Sequence, residues 1–173
     1  MNPIASLAFV LLAATISSRT PALTAETAAR LVREKGAHVA LRHFYEDERQ
    51  WANLLQGIAT GRTSWLRVAN QLRSASDAGA AAQLQFAVGE ALEHQPANVL
   101  KIALPIFGMS ACGGPDVDDS RFDSYDLSIG AIQKRKRMLA QLESSSLRLA
   151  RDRCIHELES SISGIAQFYG RSK

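Results

Sequence analysis

The two tryptophans of this chain lie fourteen residues apart, and each begins the same apolar pattern. Apolar residues follow Trp51 and Trp65 at three, four and seven positions, namely Leu54, Leu55 and Ile58, and then Val68, Ala69 and Leu72. That spacing places each set on one face of an α-helix. Gly57 and Gly61 interrupt the stretch, so we expect two short helices folded back on each other. The pattern favours two faces packed against a shared core, and a ligand-binding aromatic pair is the alternative.

The same helical spacing recurs along most of the chain. Its 173 residues are enough for one domain, and 46% hydrophobic with 21% charged residues is a globular composition. Aromatic residues are sparse at 6%, and unbranched helix-forming residues are abundant. We therefore predict an all-α fold, either a compact bundle or a short stack of about six to seven helices resembling an α-solenoid. One helix is expected to end at Pro105, and Leu127, Ala131, Met138 and Leu142 are the expected inward face of a later one.

The N-terminal residues indicate export. Residues 4–16 form an apolar run of thirteen residues without a charge, which is too short for a bilayer span of about 20 residues but suits a signal peptide. We predict a signal peptide over residues 1–25, with cleavage after Ala25 preferred to cleavage after Ala22, and a single helical domain over residues 26–173. The segment before the run lacks Lys and Arg, so a buried N-terminal helix is the alternative. The expected location is periplasmic or secreted, with no transmembrane anchor.

Export changes the interpretation of the two cysteines. In an oxidising compartment an even number of cysteines favours pairing, so Cys112 and Cys154 are predicted to form a disulfide. It would staple the long irregular segment of residues 107–126 to the last helix. A catalytic thiol or a metal ligand is the alternative.

Aspartates crowd this irregular segment and make it a candidate binding site. We take Asp116, Asp118 and Asp119 as the candidate binding residues. An EF-hand starting at Asp116 fails, because Arg121 stands where the glycine is needed and Leu127 where the glutamate is needed. We therefore predict no metal site, and an acidic turn facing water is the simpler interpretation.

The only concentrated basic run is Lys134, Arg135, Lys136 and Arg137. Four consecutive helical residues point around most of the circumference and form no compact patch, so a solvated helix surface is the first interpretation. Contact with an anionic surface such as lipid is the alternative. No nucleic-acid partner is predicted, because that function needs basic charge on one face together with stacking aromatics.

Specific catalytic motifs are missing from the sequence. Glu90 and Glu93 could be sought as a glycosidase pair, but they are ordinary neighbours on one helix. The histidines lack metal-ligand spacing, and there is no nucleophile elbow, P-loop or dinucleotide fingerprint. We predict no catalytic residue and no cofactor.

Several stretches carry a family resemblance: WANLLQGIATGRTSWLRVANQL, SDAGA, ALEHQPANVL, ACGGPDVDD and RCIHEL. They resemble small exported helical proteins of proteobacteria, a group without a known activity. The resemblance implies export and paired cysteines, and it implies no mechanism. The sequence thus favours a non-catalytic periplasmic module that binds an envelope protein or peptide, of inhibitor, immunity or assembly-factor type. The alternative is an envelope enzyme with an acidic, metal-dependent site in the Asp116–Asp126 loop.

Overall fold

A computed structural model describes residues 23–171, and in that part of the chain the fold is all-α, as predicted. We number eight helices there: α1 Ala25–Lys35, α2 Ala37–Tyr45, α3 Glu48–Ala59, α4 Thr63–Arg73, α5 Ala78–Ala91, α6 residues 96–107, α7 Tyr125–Ala140 and α8 Arg148–Phe168. Three 3₁₀ turns connect them, at Gly108–Cys112, Ser120–Phe122 and Ser145–Leu147. Most of the predicted signal peptide, residues 1–22, lies outside the described residues.

Local side-chain chemistry sets the start of several helices. Thr24 forms a capping box at α1. Its hydroxyl accepts a hydrogen bond from the backbone N–H of Thr27, and the hydroxyl of Thr27 accepts one from the backbone N–H of Thr24. Asp47, Asp77 and Ser124 cap α3, α5 and α7 with side-chain oxygens that accept from backbone N–H groups of the first turn. Each cap satisfies backbone N–H groups that the helix itself leaves without a partner.

The tryptophan hairpin packs as predicted. Trp51 in α3 and Trp65 in α4 are both 7% exposed and belong to the main hydrophobic core. Gly57 allows this arrangement, because a Cβ there would lie only 2.4 Å from the Trp65 ring. Gly61 takes a positive φ of 69° between the two helices, a conformation that glycine adopts readily. The indole of Trp65 therefore lies directly against the backbone of α3.

The helix predicted to end at Pro105 continues to Phe107. Its middle, Val99–Ala103, is a π-turn, and the backbone N–H of Leu104 bonds to the carbonyl of Val99. Such a wide turn changes the hydrogen-bond pattern just before the proline, whose missing N–H is then tolerated. The prediction of a stop at Pro105 was therefore wrong.

The last two helices pack against each other and against the irregular segment. Cys112 and Cys154 form the predicted disulfide, with their Cα atoms 5.1 Å apart and both residues fully buried. It joins the turn Gly108–Cys112 to α8, and that turn packs against α5 on its other side. None of the described helices is both long and apolar enough to cross a membrane.

The inward face of α7 agrees with the prediction at Ala131 and differs elsewhere. Leu127 is half exposed, and the buried residues are Ser128, Ala131, Ile132, Arg135 and Leu139. The prediction misplaced this face by about one residue, because the face includes an arginine and a pattern of apolar residues does not count arginine.

Candidate functional site

A groove of about 510 Å³ opens between α3, α5 and the segment that follows the disulfide. Its volume lies within the range of about 300–1,000 Å³ that is usual for ligand pockets. Helices α3 and α5 form one wall, here called the helical wall. The segment 113–124 forms the other, here called the loop wall. The apolar lining consists of Ala52, Leu55, Ala59, Phe86, Ala87 and Phe122, and the polar lining of Gln56, Gln83, Glu90, Asp116, Asp119, Arg121 and Arg135.

The helical wall follows from the spacing of its residues. On α3 the lining positions are 52, 55, 56 and 59, and on α5 they are 83, 86, 87 and 90, so each set repeats at helical intervals. Small residues at Ala52, Ala59 and Ala87 leave room between the helices. The indole N–H of Trp51 donates to the side-chain carbonyl of Gln83, which fixes that glutamine at the groove. Sequence reasoning missed this face, although its alanines at helical spacing were visible.

The loop wall is tied to α5 by an ion-pair cluster. The Nη1 of Arg121 lies 2.9 Å from Oε1 of Glu90, and its Nη2 lies 2.8 Å from Oδ2 of Asp119. Asp119 also accepts from the backbone N–H of Arg121 at 2.8 Å, as expected for the cap of a short 3₁₀ turn. Because Arg121 is 59% exposed, this cluster lies at the surface of the groove.

The end of the loop wall is held at one backbone carbonyl. The carbonyl oxygen of Phe122 accepts from the hydroxyl of Tyr169 in the last residues of the chain and from Ser128 Oγ of α7 at 3.2 Å. Phe122 itself faces the groove, with the guanidinium of Arg121 5.3 Å from its ring. Residues distant in sequence therefore fix the position of this wall.

Arg135 reaches the groove from α7 and is only 1% exposed. Its Nε lies 3.2 Å from Oε1 of Glu93, and its Nη1 donates to the carbonyl of Gly113 at 2.8 Å. Gly89 provides the space, because a Cβ there would lie 3.3 Å from Nη1. Arg135 therefore joins α7, the chain after α5 and the start of the loop wall at one buried point.

Charges in the groove alter one another's ionisation. Hydrogen bonding from Arg121 lowers the pKa of Asp119, and the same contact with Asp119, followed by that with Glu90, raises the pKa of Arg121. Burial lowers the pKa of Arg135, and the charge of Glu93 opposes this shift. Arginine stays protonated under all ordinary conditions, so the buried group is a cation that needs its carboxylate partner.

A second depression of about 510 Å³ adjoins the first. The two share Gln56, Ala59 and Glu90, and the second extends along the end of α3 to His94 and Gln95. Together they form one continuous depression, here called the trough, along α3 and the end of α5.

The structure brings only some of the residues predicted from sequence to this groove. Asp116 and Asp119 line it, and Asp118 is exposed outside it. The basic run separates as its helical spacing predicts: Lys134 pairs with Glu93, Lys136 pairs with Glu159, and Arg137 is exposed. The interpretation of this run as solvated surface fails for Arg135, because the residue is buried.

The carboxylates considered for catalysis or metal binding take part in other contacts. Glu90 pairs with Arg121, Glu93 pairs with both Lys134 and Arg135, and Asp116 accepts from the backbone N–H of Asp118. Within residues 23–171 no group of three or more His, Cys, Asp or Glu side chains is placed to hold a metal ion.

Comparison with known proteins gives no relative for this chain, since no family model, no curated protein and no solved structure matches it.

Proposed function

We propose that this protein is an exported, non-catalytic module that binds a protein or peptide of the cell envelope in the groove between α3, α5 and the loop wall. The observation that most directly supports this proposal is the trough itself, which combines an alanine-rich apolar wall with charged groups at its rim and base. Apolar surface supplies binding free energy and a few fixed polar groups supply orientation, as in most ligand sites. An inhibitor, an immunity protein or an assembly factor would each use such a surface.

The disulfide supports the exported part of the proposal. A buried Cys112–Cys154 bond is typical of proteins from oxidising compartments and rare in the cytosol. The start of α1 bears on the processing site. Cleavage after Ala25 would remove the cap at Thr24 and Leu23, which packs against the core, whereas cleavage after Ala22 keeps both.

We therefore propose Ala22 as the last residue removed, in place of Ala25. Loss of a threonine cap costs about 1 kcal/mol, so the shorter product would be less stable. The N-terminal sequence of the protein recovered from the periplasm or medium tests this point. Leu23 is the expected first residue, and Glu26 would contradict the proposal.

The binding proposal is tested by photo-crosslinking in the native envelope. A photoreactive amino acid replaces Gln56, which lines both parts of the trough, and in a second strain it replaces Gln167, exposed on α8 away from it. We expect a discrete crosslinked partner, identified by mass spectrometry, from position 56 and not from position 167. Equal crosslinking from both positions, or none from position 56, would overturn the assignment of the groove as the binding surface.

A further inference from the structure

We infer that the groove recognises a basic side chain of the bound peptide, and that Arg121 of this chain occupies the same carboxylates when the groove is empty. This inference rests on the proposed function and adds the chemical class of the ligand. It follows from the charges that line the groove and from the exposed guanidinium of Arg121, which lies on them.

Among residues 23–171, three carboxylates line the groove, from Glu90, Asp116 and Asp119. The two cations that this part of the chain places beside them differ in availability. Arg135 is buried and already neutralised by Glu93, so it offers little charge to a ligand. Arg121 is largely exposed and belongs to a short turn of the loop wall. When Arg121 moves aside, the lining therefore presents an excess of negative charge.

The contacts of Arg121 show that these carboxylates bind a guanidinium. Glu90 accepts a hydrogen bond from Nη1 of Arg121 at 2.9 Å. Asp119 accepts hydrogen bonds from Nε of the same guanidinium at 3.0 Å and from its Nη2 at 2.8 Å. Side-by-side contacts of this kind match the planar donors of arginine. A guanidinium from a partner could therefore replace that of Arg121 on Glu90 with the same geometry, and an ammonium could replace its charge.

Replacement of Arg121 has a low energetic cost because its ion pairs are exposed. Surface pairs contribute only about 0–1 kcal/mol. A partner lying in the trough would cover the site, and a pair removed from water is stronger than the exposed one that it replaces. The exchange favours a covered partner side chain when this gain, together with apolar contacts, exceeds the cost of removing both charges from water.

The apolar lining argues for a side chain within a peptide over a free cation. Leu55, Phe86 and Ala59 line the same groove as the carboxylates and can pack on the aliphatic stem of Lys or Arg, which long basic side chains bury readily. The whole chain has a net charge of +3, so long-range attraction does not favour a basic partner. Recognition would come from local contacts in the groove.

The test uses three capped pentapeptides, Ala-Leu-X-Leu-Ala with Arg, norleucine or Glu at X, titrated into the intact disulfide-bonded protein by calorimetry. Since a hydrogen bond to a charged group contributes about 1.5–3 kcal/mol, we expect the Arg peptide to bind about 10-fold or more tighter than the others. Glu90→Gln should remove that preference, and Glu159→Gln, which changes an exposed carboxylate on α8, should leave it unchanged.

Arg121→Ala gives the decisive result, because removal of the internal competitor should tighten the Arg peptide about three- to fivefold. Arg153→Ala, at an exposed position on α8, is the control, and thermal unfolding checks that each variant is folded. Weaker binding to Arg121→Ala, or equal binding of the norleucine or Glu peptide, would overturn the basic-side-chain inference while leaving a peptide groove. Binding of none of the three peptides would contradict this inference, and crosslinking from position 56 would then decide the groove separately.

Discussion

The two walls of the groove are stabilised by different kinds of interaction. The helical wall is continuous with the main core, where Trp51, Leu54 and Ile58 of α3 and Leu84 and Val88 of α5 are buried. The loop wall contributes little to that core and is held by a disulfide, a buried arginine and a few hydrogen bonds. Packing distributes stability over many atoms, whereas the loop wall depends on a few contacts that single changes can remove.

Removal of the disulfide should have the largest effect and should act first on the loop wall. For Cys112→Ala with Cys154→Ala, chain entropy over a sequence separation of 42 predicts a loss of about 4 kcal/mol in unfolding free energy. Denaturant unfolding measures the loss, and hydrogen exchange locates it. Amides of α3 and α5 should lose only the protection that the lower free energy of global unfolding removes, and amides of residues 113–124 should lose more.

Treatment of the unchanged protein with a reductant is the control and should reproduce the same pattern. Equal loss of protection in α3, α5 and the loop wall would show that the two walls unfold as one unit.

The buried Arg135 should give the next largest effect. In Glu93→Gln the guanidinium keeps a hydrogen-bond acceptor but loses its compensating charge, so we expect destabilisation of about 3 kcal/mol in denaturant unfolding. Glu159→Gln removes an exposed partner of Lys136 and should leave the unfolding midpoint unchanged. A similar midpoint for the two variants would contradict the role assigned to the buried pair.

The helical wall can be tested through Gly57. Its Cβ in Gly57→Ala would meet the Trp65 ring at 2.4–2.7 Å, and overpacking of this kind costs about 1–3 kcal/mol. Gly130→Ala on α7 has no atom within 4 Å of the new Cβ, so it should stabilise by about 0.5–1 kcal/mol through helix propensity. Opposite signs in thermal unfolding are expected, and stabilisation by both substitutions would be inconsistent with the packing described.

Loss of the charge on Asp119 should have the smallest effect, at the outer edge of the loop wall. Because Arg121 lowers the pKa of Asp119 below its ordinary value of 3.8, this pair contributes fully above about pH 4 and is lost as the pH falls through the lower folded pKa. The unfolding temperature should therefore fall less in Asp119→Asn than in the unchanged protein between pH 4 and pH 2.5. Parallel curves for the two proteins would exclude a stabilising role for this pair.

The helical wall could be predicted from sequence because its signals are local. Spacing after each tryptophan predicted the buried faces of α3 and α4, and the stripe of α5 from Ala80 to Leu92 also belongs to the core. The groove beside it was missed, since a pattern that searches for large apolar residues passes over Ala52 and Ala59.

The loop wall was harder to predict because its contacts join distant parts of the chain. The cysteine pair was predicted correctly from its even number and the expected compartment. The burial of Arg135 was not, because its partners Glu93 and Gly113 stand 42 and 22 residues away. A buried charge depends on partners that periodicity within one helix does not reveal.

The bond from Trp51 to Gln83 has a practical consequence for following occupancy without a label. Gln83 lines the groove and accepts from the indole of Trp51, while Trp65 lies against Gly57. A molecule that displaces Gln83 alters the polarity sensed by one fluorophore, and the second provides a constant background. The protein thus contains its own optical reporter at the wall that a ligand would touch.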